Sequence, residues 1–168
     1  MSLFRTLVIA GALVLAGTAH AADVSMAGGS VTFSTPDQWM GIMETQGDPE
    51  VRVFQVPDPS PNGASSLARI SVTVKQVGNA GEFQQYVSGA MGKAKALTGY
   101  QAASGGTPDN FVYTAQENGA QYSYSERYWF KDSHAIQLRC VRPAQGQAGA
   151  AWRASFDKGC DAIAARMK

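Results

Sequence analysis

The sequence predicts an α+β fold in which a mostly antiparallel β-sheet is flanked by two main helices. Residues 68–75 alternate between apolar and polar side chains, as in a strand with one buried face. The pair Asn118-Gly119 lies between two strand-like runs and is a strong hairpin signal. Near the C-terminus, apolar residues recur at the spacing of one helix face: Trp152, Phe156, Cys160, Ile163 and Met167. Short connections between the strands favour antiparallel pairing.

The first half of the chain is predicted to form strands separated by turns. The strands are expected at 31–33, 40–45 and 51–56. A turn at 35–39 places Trp39 for burial. The segment 57–63 contains prolines, which lack a backbone donor, so we expect an exposed loop there.

The second half contains both helices. Asn79 and Glu82 have the spacing of a capping box, and a helical stripe of apolar residues runs from Phe83 to Leu97. A polar, Gly-rich loop is expected at 99–109. Further strands are predicted at 111–115, 121–130 and 134–141, ahead of the C-terminal helix.

Residues 1–21 have the features of a cleavable signal peptide, namely a basic residue, a short apolar core and the small-residue site Ala19-His20-Ala21. The apolar run is shorter than a bilayer span, so no transmembrane anchor is expected after cleavage. We therefore predict a single α+β domain at 22–168. Its expected location is the periplasm, with the extracellular space as the alternative.

Removal of the signal peptide changes the charge and the histidine content. Arg5 is lost, which leaves thirteen basic and thirteen acidic residues, and the loss of His20 leaves His134 as the only histidine. A balanced charge argues against nucleic-acid binding. One histidine excludes a multi-histidine metal site. No metal and no cofactor are predicted.

The two cysteines of the chain, Cys140 and Cys160, are predicted to form a disulfide, because an exported chain enters a compartment where disulfides persist. Cys140 lies on the inward side of a predicted strand, and Cys160 lies within the apolar face of the last helix, so burial of that helix brings the sulfurs together. The bond would stabilise the fold by about 3 kcal/mol. This spacing differs from the short Cys-x-x-Cys motif of redox sites.

Several elements together resemble the PsbP-like α/β/α sandwich family, which includes the bacterial DcrB-like proteins. They are Phe33-x-x-Pro36-x-x-Trp39, the helix around Phe83 and Tyr86, the long Tyr/Trp strand and the closing helix. The resemblance implies a binding or accessory protein, in some bacterial members an immunity protein that blocks a secreted toxin. It carries over no catalytic residue.

Two side chains are candidates for acid/base chemistry. Glu126 lies in an otherwise aromatic set of alternate residues, where a buried carboxylate could act as an acid or base. The competing interpretation pairs Glu126 with a basic residue of the next strand. His134 could serve a Ser-His-Asp triad, but no Gly-x-Ser-x-Gly elbow accompanies it. We therefore predict a protein that is not an enzyme, with a hydrolase as the weaker alternative.

The candidate binding surface combines aromatic and basic side chains. The tyrosines of the strand at 121–130 could form a stacking platform, and core packing explains them more simply. The arginines surround the predicted disulfide and could meet an acidic partner, and Arg139 is expected to face outward because its neighbours are buried. The full set is Tyr122, Tyr124, Glu126, Trp129, Arg139, Arg142 and Arg153.

These observations predict a secreted, non-enzymatic protein that binds another protein of the envelope. An inhibitor or immunity protein against a toxin is one form of this prediction. The alternative is a protein that carries or senses a small ligand, held between the aromatic strand and the helices.

Overall fold

The computed structural model describes residues 22–61, 63, 67–107 and 110–167. The predicted signal peptide lies outside the described residues. The elements are β1 (Ala22–Met26), a 3-10 turn (Ala27–Gly29), β2 (Val31–Thr35), β3 (Met40–Thr45), β4 (Glu50–Gln55), β5 (Arg69–Gln76), α1 (Ala80–Lys95), β6 (Gln101–Ala102), β7 (Asn110–Glu117), β8 (Ala120–Lys131), β9 (His134–Pro143) and α2 (Gly149–Arg166).

The described residues form a large antiparallel sheet with the strand order β3-β4-β5-β9-β8-β7-β6 and a separate antiparallel pair, β1-β2. Consecutive strands β7, β8 and β9 are joined by tight turns. Asn118 and Gly119 have positive φ values of 50° and 81°, which is the geometry of the predicted Asn-Gly hairpin. The predicted α+β class, with a mostly antiparallel sheet and two helices, is confirmed.

The two helices pack on opposite faces of the sheet. On one face, which we call the α2 face, Phe156, Cys160 and Ile163 of α2 form a core with even-numbered residues of β5 and β9 and with the β1-β2 pair. On the other face, the α1 face, Ala94 of α1 packs in a second core with aromatic residues of β7 and β8. Neither helix in the described part of the chain is long and apolar enough to cross a membrane.

The helices are offset from one another along the sheet. The α2-face core reaches Phe54 of β4 and Ile70 of β5. By contrast, α1 contacts β8 and β9, and its core residues lie on β7, β8 and β9. Each helix therefore leaves part of its own face uncovered: β3, β4 and β5 on the α1 face, and β7 and β8 on the α2 face.

The predicted disulfide between Cys140 of β9 and Cys160 of α2 is present, with a Cα–Cα distance of 6.5 Å. Both cysteines are buried in the α2-face core, as their predicted inward positions require. The bond ties the C-terminal helix to a central strand. Such a bond fits an extracytoplasmic location, because disulfides persist in oxidising compartments.

Two strands were not predicted from the sequence. β1 follows the predicted cleavage site and pairs with β2 over five residues. Within β1, only Met26 is buried. β6 is two residues long and lies in the predicted loop at 99–109. The cap of α1 was predicted correctly, since the Asn79 side chain accepts a hydrogen bond from the backbone N–H of Glu82.

Gly159 of α2 provides a test of the α2-face packing. A Cβ at this position would lie 2.6 Å from Cζ2 of Trp39, whose indole also stacks on Phe156. Gly159→Ala should therefore lower the free energy of unfolding by about 1–3 kcal/mol, because the close-packed indole must shift. Urea unfolding measures the change.

The matched control is Gly89→Ala in α1, where an added Cβ meets no heavy atom within 4 Å. We expect this variant to gain about 0.5–1 kcal/mol, since alanine is the better residue in a helix interior. Equal effects of the two substitutions would contradict the described contact between Trp39 and α2.

Candidate functional site

The predicted surface residues lie at two separate places, because alternate residues of β8 point to opposite faces of the sheet. Glu126 is paired with Arg139 across β8 and β9 on the α1 face, and Tyr122 and Tyr124 lie on the same face. Trp129 packs against the α2-face core, and Arg142 forms an ion pair with Asp157 of α2. Arg153 lies on α2, where its guanidinium donates to the carbonyl of Gly146. The set is not one continuous surface.

Tyr122 and Tyr124 are buried, with exposed fractions of 6% and 2%. The ring of Tyr124 stacks on that of Tyr113 with a centroid distance of 4.6 Å and an interplanar angle of 6°. The Tyr124 hydroxyl donates to Oε1 of Glu117 at 2.5 Å. The structure thus places both tyrosines in the α1-face core.

Glu126 is the centre of a buried polar cluster on the α1 face. Its side chain is 0% exposed. Oε1 accepts from the Tyr113 hydroxyl at 2.5 Å and from Nε of Arg139 at 2.7 Å. Oε2 accepts from the Tyr128 hydroxyl and from Nε2 of Gln137 at 2.9 Å. Two donors on each oxygen satisfy the carboxylate, which a buried charge requires. We call these five residues the Glu126 cluster.

The tyrosines of this region remain donors at neutral pH. Burial raises the pKa of Tyr86, whose hydroxyl donates to Oε1 of Gln137 at 2.9 Å, to about 12. Burial and the Glu126 carboxylate raise the pKa of both Tyr113 and Tyr128 above the usual value. Burial acts to lower the pKa of Arg139, but the adjacent Glu126 charge outweighs it, so the pKa lies above the usual value. The cluster is thus a carboxylate held by one guanidinium and neutral donors.

Arg139 connects this cluster to solvent. Its side chain remains 35% exposed, while that of Glu126 is fully buried. Nε is committed to Glu126, and the two terminal amines have no hydrogen-bond partner among the residues that the structure describes. Arg139 was predicted to face outward, and the structure agrees only in part. The aliphatic part of the side chain and Nε lie over the sheet, and the terminal amines reach the surface.

Arg139 lies at the border of the uncovered part of the α1 face. Pairing across the sheet aligns Met43, Val53, Ser71, Arg139 and Glu126 in one row. A second row runs through the neighbouring positions Thr45, Val51, Thr73, Gln137 and Tyr128. We call the part of these rows that lies on β3, β4 and β5 the open face: Met43, Thr45, Val51, Val53, Ser71 and Thr73.

The open face ends at an exposed edge strand. All six residues of β3 are exposed. Met40, Ile42 and Met43 are 54%, 46% and 51% exposed, and a register shift between Gly41 and Met43 places Ile42 in a bulge. Exposed apolar side chains concentrated on one edge strand are a feature of interaction sites.

The uncovered part of the α2 face forms a polar groove between α2 and the strands β7 and β8. Two adjoining cavities of about 210 and 340 Å³ share Arg127 and Asp161, which form an ion pair of 2.5 Å. The first cavity extends to Arg142 and Asp157, and the second to Trp129. Trp129 and Arg142 were both predicted as binding residues. We call this feature the α2 groove.

The two residues considered for acid/base chemistry are not brought together. Glu126 projects from the α1 face, whereas His134 shares its side of β9 with Ile136 and Leu138 of the α2-face core. Nδ1 of His134 is buried without a hydrogen-bond partner in the described part of the chain. Glu126 pairs with a basic residue of the next strand, which was the competing interpretation.

Sequence reasoning missed Tyr113 and Gln137 of the Glu126 cluster and all six residues of the open face. Tyr113 and Gln137 contribute donors to Glu126 from β7 and β9, and Met43 forms the outer end of the row. Tyr113 carried a usable signal, since its hairpin with β8 places it two positions from the cross-strand partner of Glu126. Gln137 carried the same signal, since the β8–β9 hairpin places it two positions from Arg139, the cross-strand partner of Glu126. Met43 carried no such signal, because its row is set by long-range strand order.

The raised tyrosine pKa values predict a loss of stability at high pH. A tyrosine whose pKa in the folded state exceeds the unfolded value of about 10 contributes its full stabilisation to the folded state below about pH 10. This stabilisation is lost as the pH rises towards the pKa of the folded state. For Tyr86 this range is pH 10 to about 12. The free energy of unfolding should fall by about 1.4 kcal/mol per pH unit for each such tyrosine.

Urea unfolding between pH 8 and 11.5 measures this slope. Tyr86→Phe is the control, and it should have a shallower slope than the wild type. A stability that stays constant to pH 11.5 would mean that these phenols ionise without cost in the folded protein.

Comparison with known proteins shows the fold of this chain but does not assign it to a family. No family model matches the sequence, and no curated protein matches it. Among solved structures, the chain is similar to LpqN of Mycobacterium tuberculosis, a protein involved in cell envelope biogenesis. The TM-score is 0.50 with 15% sequence identity, over 87% of this chain and 88% of LpqN. This similarity shows a shared fold, and that fold is consistent with the PsbP-like α/β sandwich that the sequence resembles.

A second similar structure is that of the Ran-binding protein Mog1p of Saccharomyces cerevisiae. The TM-score is 0.47 with 13% identity, over 89% of this chain and 93% of Mog1p.

Proposed function

We propose that this chain is an exported, non-enzymatic protein of the bacterial envelope that binds another protein through the open face of its sheet. One observation carries the proposal: on the α1 face, α1 covers one side of the sheet, and no helix among the described residues packs on β3, β4 and β5. The uncovered part joins an apolar edge, centred on Met43, to the terminal amines of Arg139. An apolar area with a polar border is typical of protein interfaces.

Three features together support the proposed location. Residues 1–21 have the pattern of a cleavable signal peptide, and the following residues, 22–168, act in this proposal as one domain. The disulfide between Cys140 and Cys160 is of a kind that persists outside the cytoplasm. LpqN, which shares the fold, is involved in cell envelope biogenesis. We therefore propose the periplasm as the compartment, with export from the cell as the alternative.

The state of Glu126 supports a role outside catalysis. Each carboxylate oxygen already accepts two hydrogen bonds, and the side chain has no contact with solvent. A general base must reach the proton that it removes, either directly or through one water. Glu126 can do so only if its cluster comes apart, so we propose that it positions Arg139.

Within this class, the specific form that we propose is an inhibitor or immunity protein that masks a toxin in the envelope. The support is the resemblance to the PsbP-like family noted in the sequence. A gene for an exported toxin beside the gene for this chain would support the proposal. A purified toxin that retains full activity with this protein in excess would contradict it.

A site-specific photocrosslinker tests the binding surface. We would place p-benzoylphenylalanine at Met43 or Thr73 of the full chain, and at the exposed Gln85 on α1 as a control. After irradiation of intact cells of the source organism, we expect one discrete protein adduct from the two open-face positions and none from Gln85. Adducts from none of these positions, or equally from all three, would contradict the proposal.

The α2 groove favours a second candidate, the binding or sensing of a small ligand. It combines the aromatic face of Trp129 with the paired charges of Arg127 and Asp161. Thermal denaturation with a panel of envelope metabolites tests this function. A ligand that raises the midpoint should lose its effect in Trp129→Ala. A flat response to the whole panel would reject it.

A further inference from the structure

We propose that the partner binds the open face with an acidic amphipathic helix, which lies beside α1 and places a carboxylate on the terminal amines of Arg139. This inference rests on the proposed function, and it adds the structure and the chemistry of the partner segment. Three properties of the open face support it: its width, its side chains and the asymmetric burial of the Glu126–Arg139 pair.

The width of the open face matches one helix. Strands in a sheet lie about 4.8 Å apart, so β3, β4 and β5 present a band about 14 Å wide. A helix with its side chains has a diameter of about 10–12 Å. The neighbouring strands β8 and β9 already carry α1 on the same face. A second helix would therefore complete the layer that α1 begins.

The side chains of the open face suit close contact with a helix. Met43 on β3 and the half-buried Val51 on β4 supply exposed apolar area, whereas Val53 is 9% exposed and adds little to the surface. On β5, Ser71 and Thr73 are small and leave room beside Arg139. An amphipathic helix would place its apolar stripe over β3 and β4 and its polar border towards Arg139.

The Glu126–Arg139 pair presents only its positive end to solvent. The carboxylate is 0% exposed, the guanidinium side chain is 35% exposed, and Nε already binds Oε1 at 2.7 Å. The terminal amines therefore remain available on β9, the strand next to β5 of the open face. An arginine whose two terminal amines are available binds a carboxylate with two parallel hydrogen bonds, which selects an aspartate or glutamate on the partner.

The neighbouring basic residues of β5 differ from Arg139 in this respect. Arg69 pairs with Glu117 at 2.6 Å, and Lys75 pairs with Asp48 at 3.5 Å. Their carboxylate partners are 28% and 48% exposed, so in these pairs both charges reach the surface. Among the described basic residues on the α1-facing side of β5 and β9, Arg139 is thus the one whose partner carboxylate is fully buried.

Mapping of the photoadduct tests this inference. The protein with p-benzoylphenylalanine at Thr73 is crosslinked in cells, digested, and the attached partner peptide is sequenced by mass spectrometry. We expect a segment with apolar residues at helical spacing and an Asp or Glu within one turn of the crosslinked residue. Replacement of that partner carboxylate by its amide should lower the adduct yield at least tenfold.

The partner variant avoids the risk that a change at Arg139 unfolds this chain. Arg139→Gln should give the same loss where it remains folded, as judged by circular dichroism. An adduct that maps to an extended segment, or to a helix whose acidic residues can be replaced without loss of yield, overturns the inference and leaves the proposed function intact. The absence of any adduct at Thr73 and Met43 rejects both.

Discussion

Replacement of Glu126 by alanine should lower the free energy of unfolding by about 3–5 kcal/mol, the usual cost of breaking a buried ion pair at one partner. The carboxylate accepts from four side chains, and it is fully buried. Its removal leaves the hydroxyls of Tyr113 and Tyr128 without their acceptor and Arg139 without its counter-charge. Equilibrium unfolding in urea at pH 7 measures the loss.

Glu44→Ala is the matched control, because Glu44 also pairs with an arginine on the neighbouring strand. Its distance to Arg52 is 3.0 Å, but its side chain is 55% exposed. Exposed ion pairs contribute about 0–1 kcal/mol, so this variant should remain close to the wild type. Similar losses of stability for Glu126→Ala and Glu44→Ala would show that burial of the Glu126 cluster does not determine its contribution to the free energy of unfolding.

Removal of the disulfide in the double variant Cys140→Ala, Cys160→Ala should cost about 3 kcal/mol, the value expected for a loop of this length. The sequence separation is 20 residues, and both positions lie in the α2-face core. Without the bond, α2 is held to β9 by packing and by the Arg142–Asp157 ion pair, so the C-terminal helix should also exchange its amide protons faster.

The effect of a reductant provides the control for this variant. Dithiothreitol should destabilise the wild type by a similar amount and leave the double alanine variant unchanged. A wild type that unfolds at the same urea concentration with and without reductant, once its thiols are shown to be free, would contradict a stabilising disulfide.

Much of the fold could be predicted because its signals are local. The alternation in 68–75 defines a strand with one buried face, and the Asn118-Gly119 turn joins two strands that pair as neighbours in sequence. The inward positions of Cys140 and Cys160 follow from periodicity within single elements. The pairing of Glu126 with a basic residue of the next strand also followed from local information, because β8 and β9 are joined by a tight turn.

Arg139 shows where such reasoning fails. A residue between buried neighbours faces solvent only if one face of the sheet is wet. At β9 both faces are covered, by α1 on one side and by α2 on the other, so even and odd positions are largely buried. The orientation of Arg139 therefore depended on the placement of α1, which is a property of the packed chain.

The open face depends in the same way on long-range order. Residues 40–45 were recognised as a strand, but nothing local distinguishes an edge strand from an interior one, and Met40, Ile42 and Met43 are as apolar as core residues. β5 pairs with β9, whose partner residues lie 58 to 72 positions later in the chain. The exposed position of β3 follows from this order.

The account holds that the Glu126–Arg139 pair serves recognition by presenting a cation beside the open face. The double variant Glu126→Met, Arg139→Met tests this most directly, because it removes both charges and keeps similar side-chain volume in the cluster. With p-benzoylphenylalanine at Thr73, we expect a folded protein whose adduct yield falls at least tenfold and which is less stable than the wild type, because the hydroxyls of Tyr113 and Tyr128 lose their acceptor. A folded double variant that still gives the wild-type yield would contradict the account.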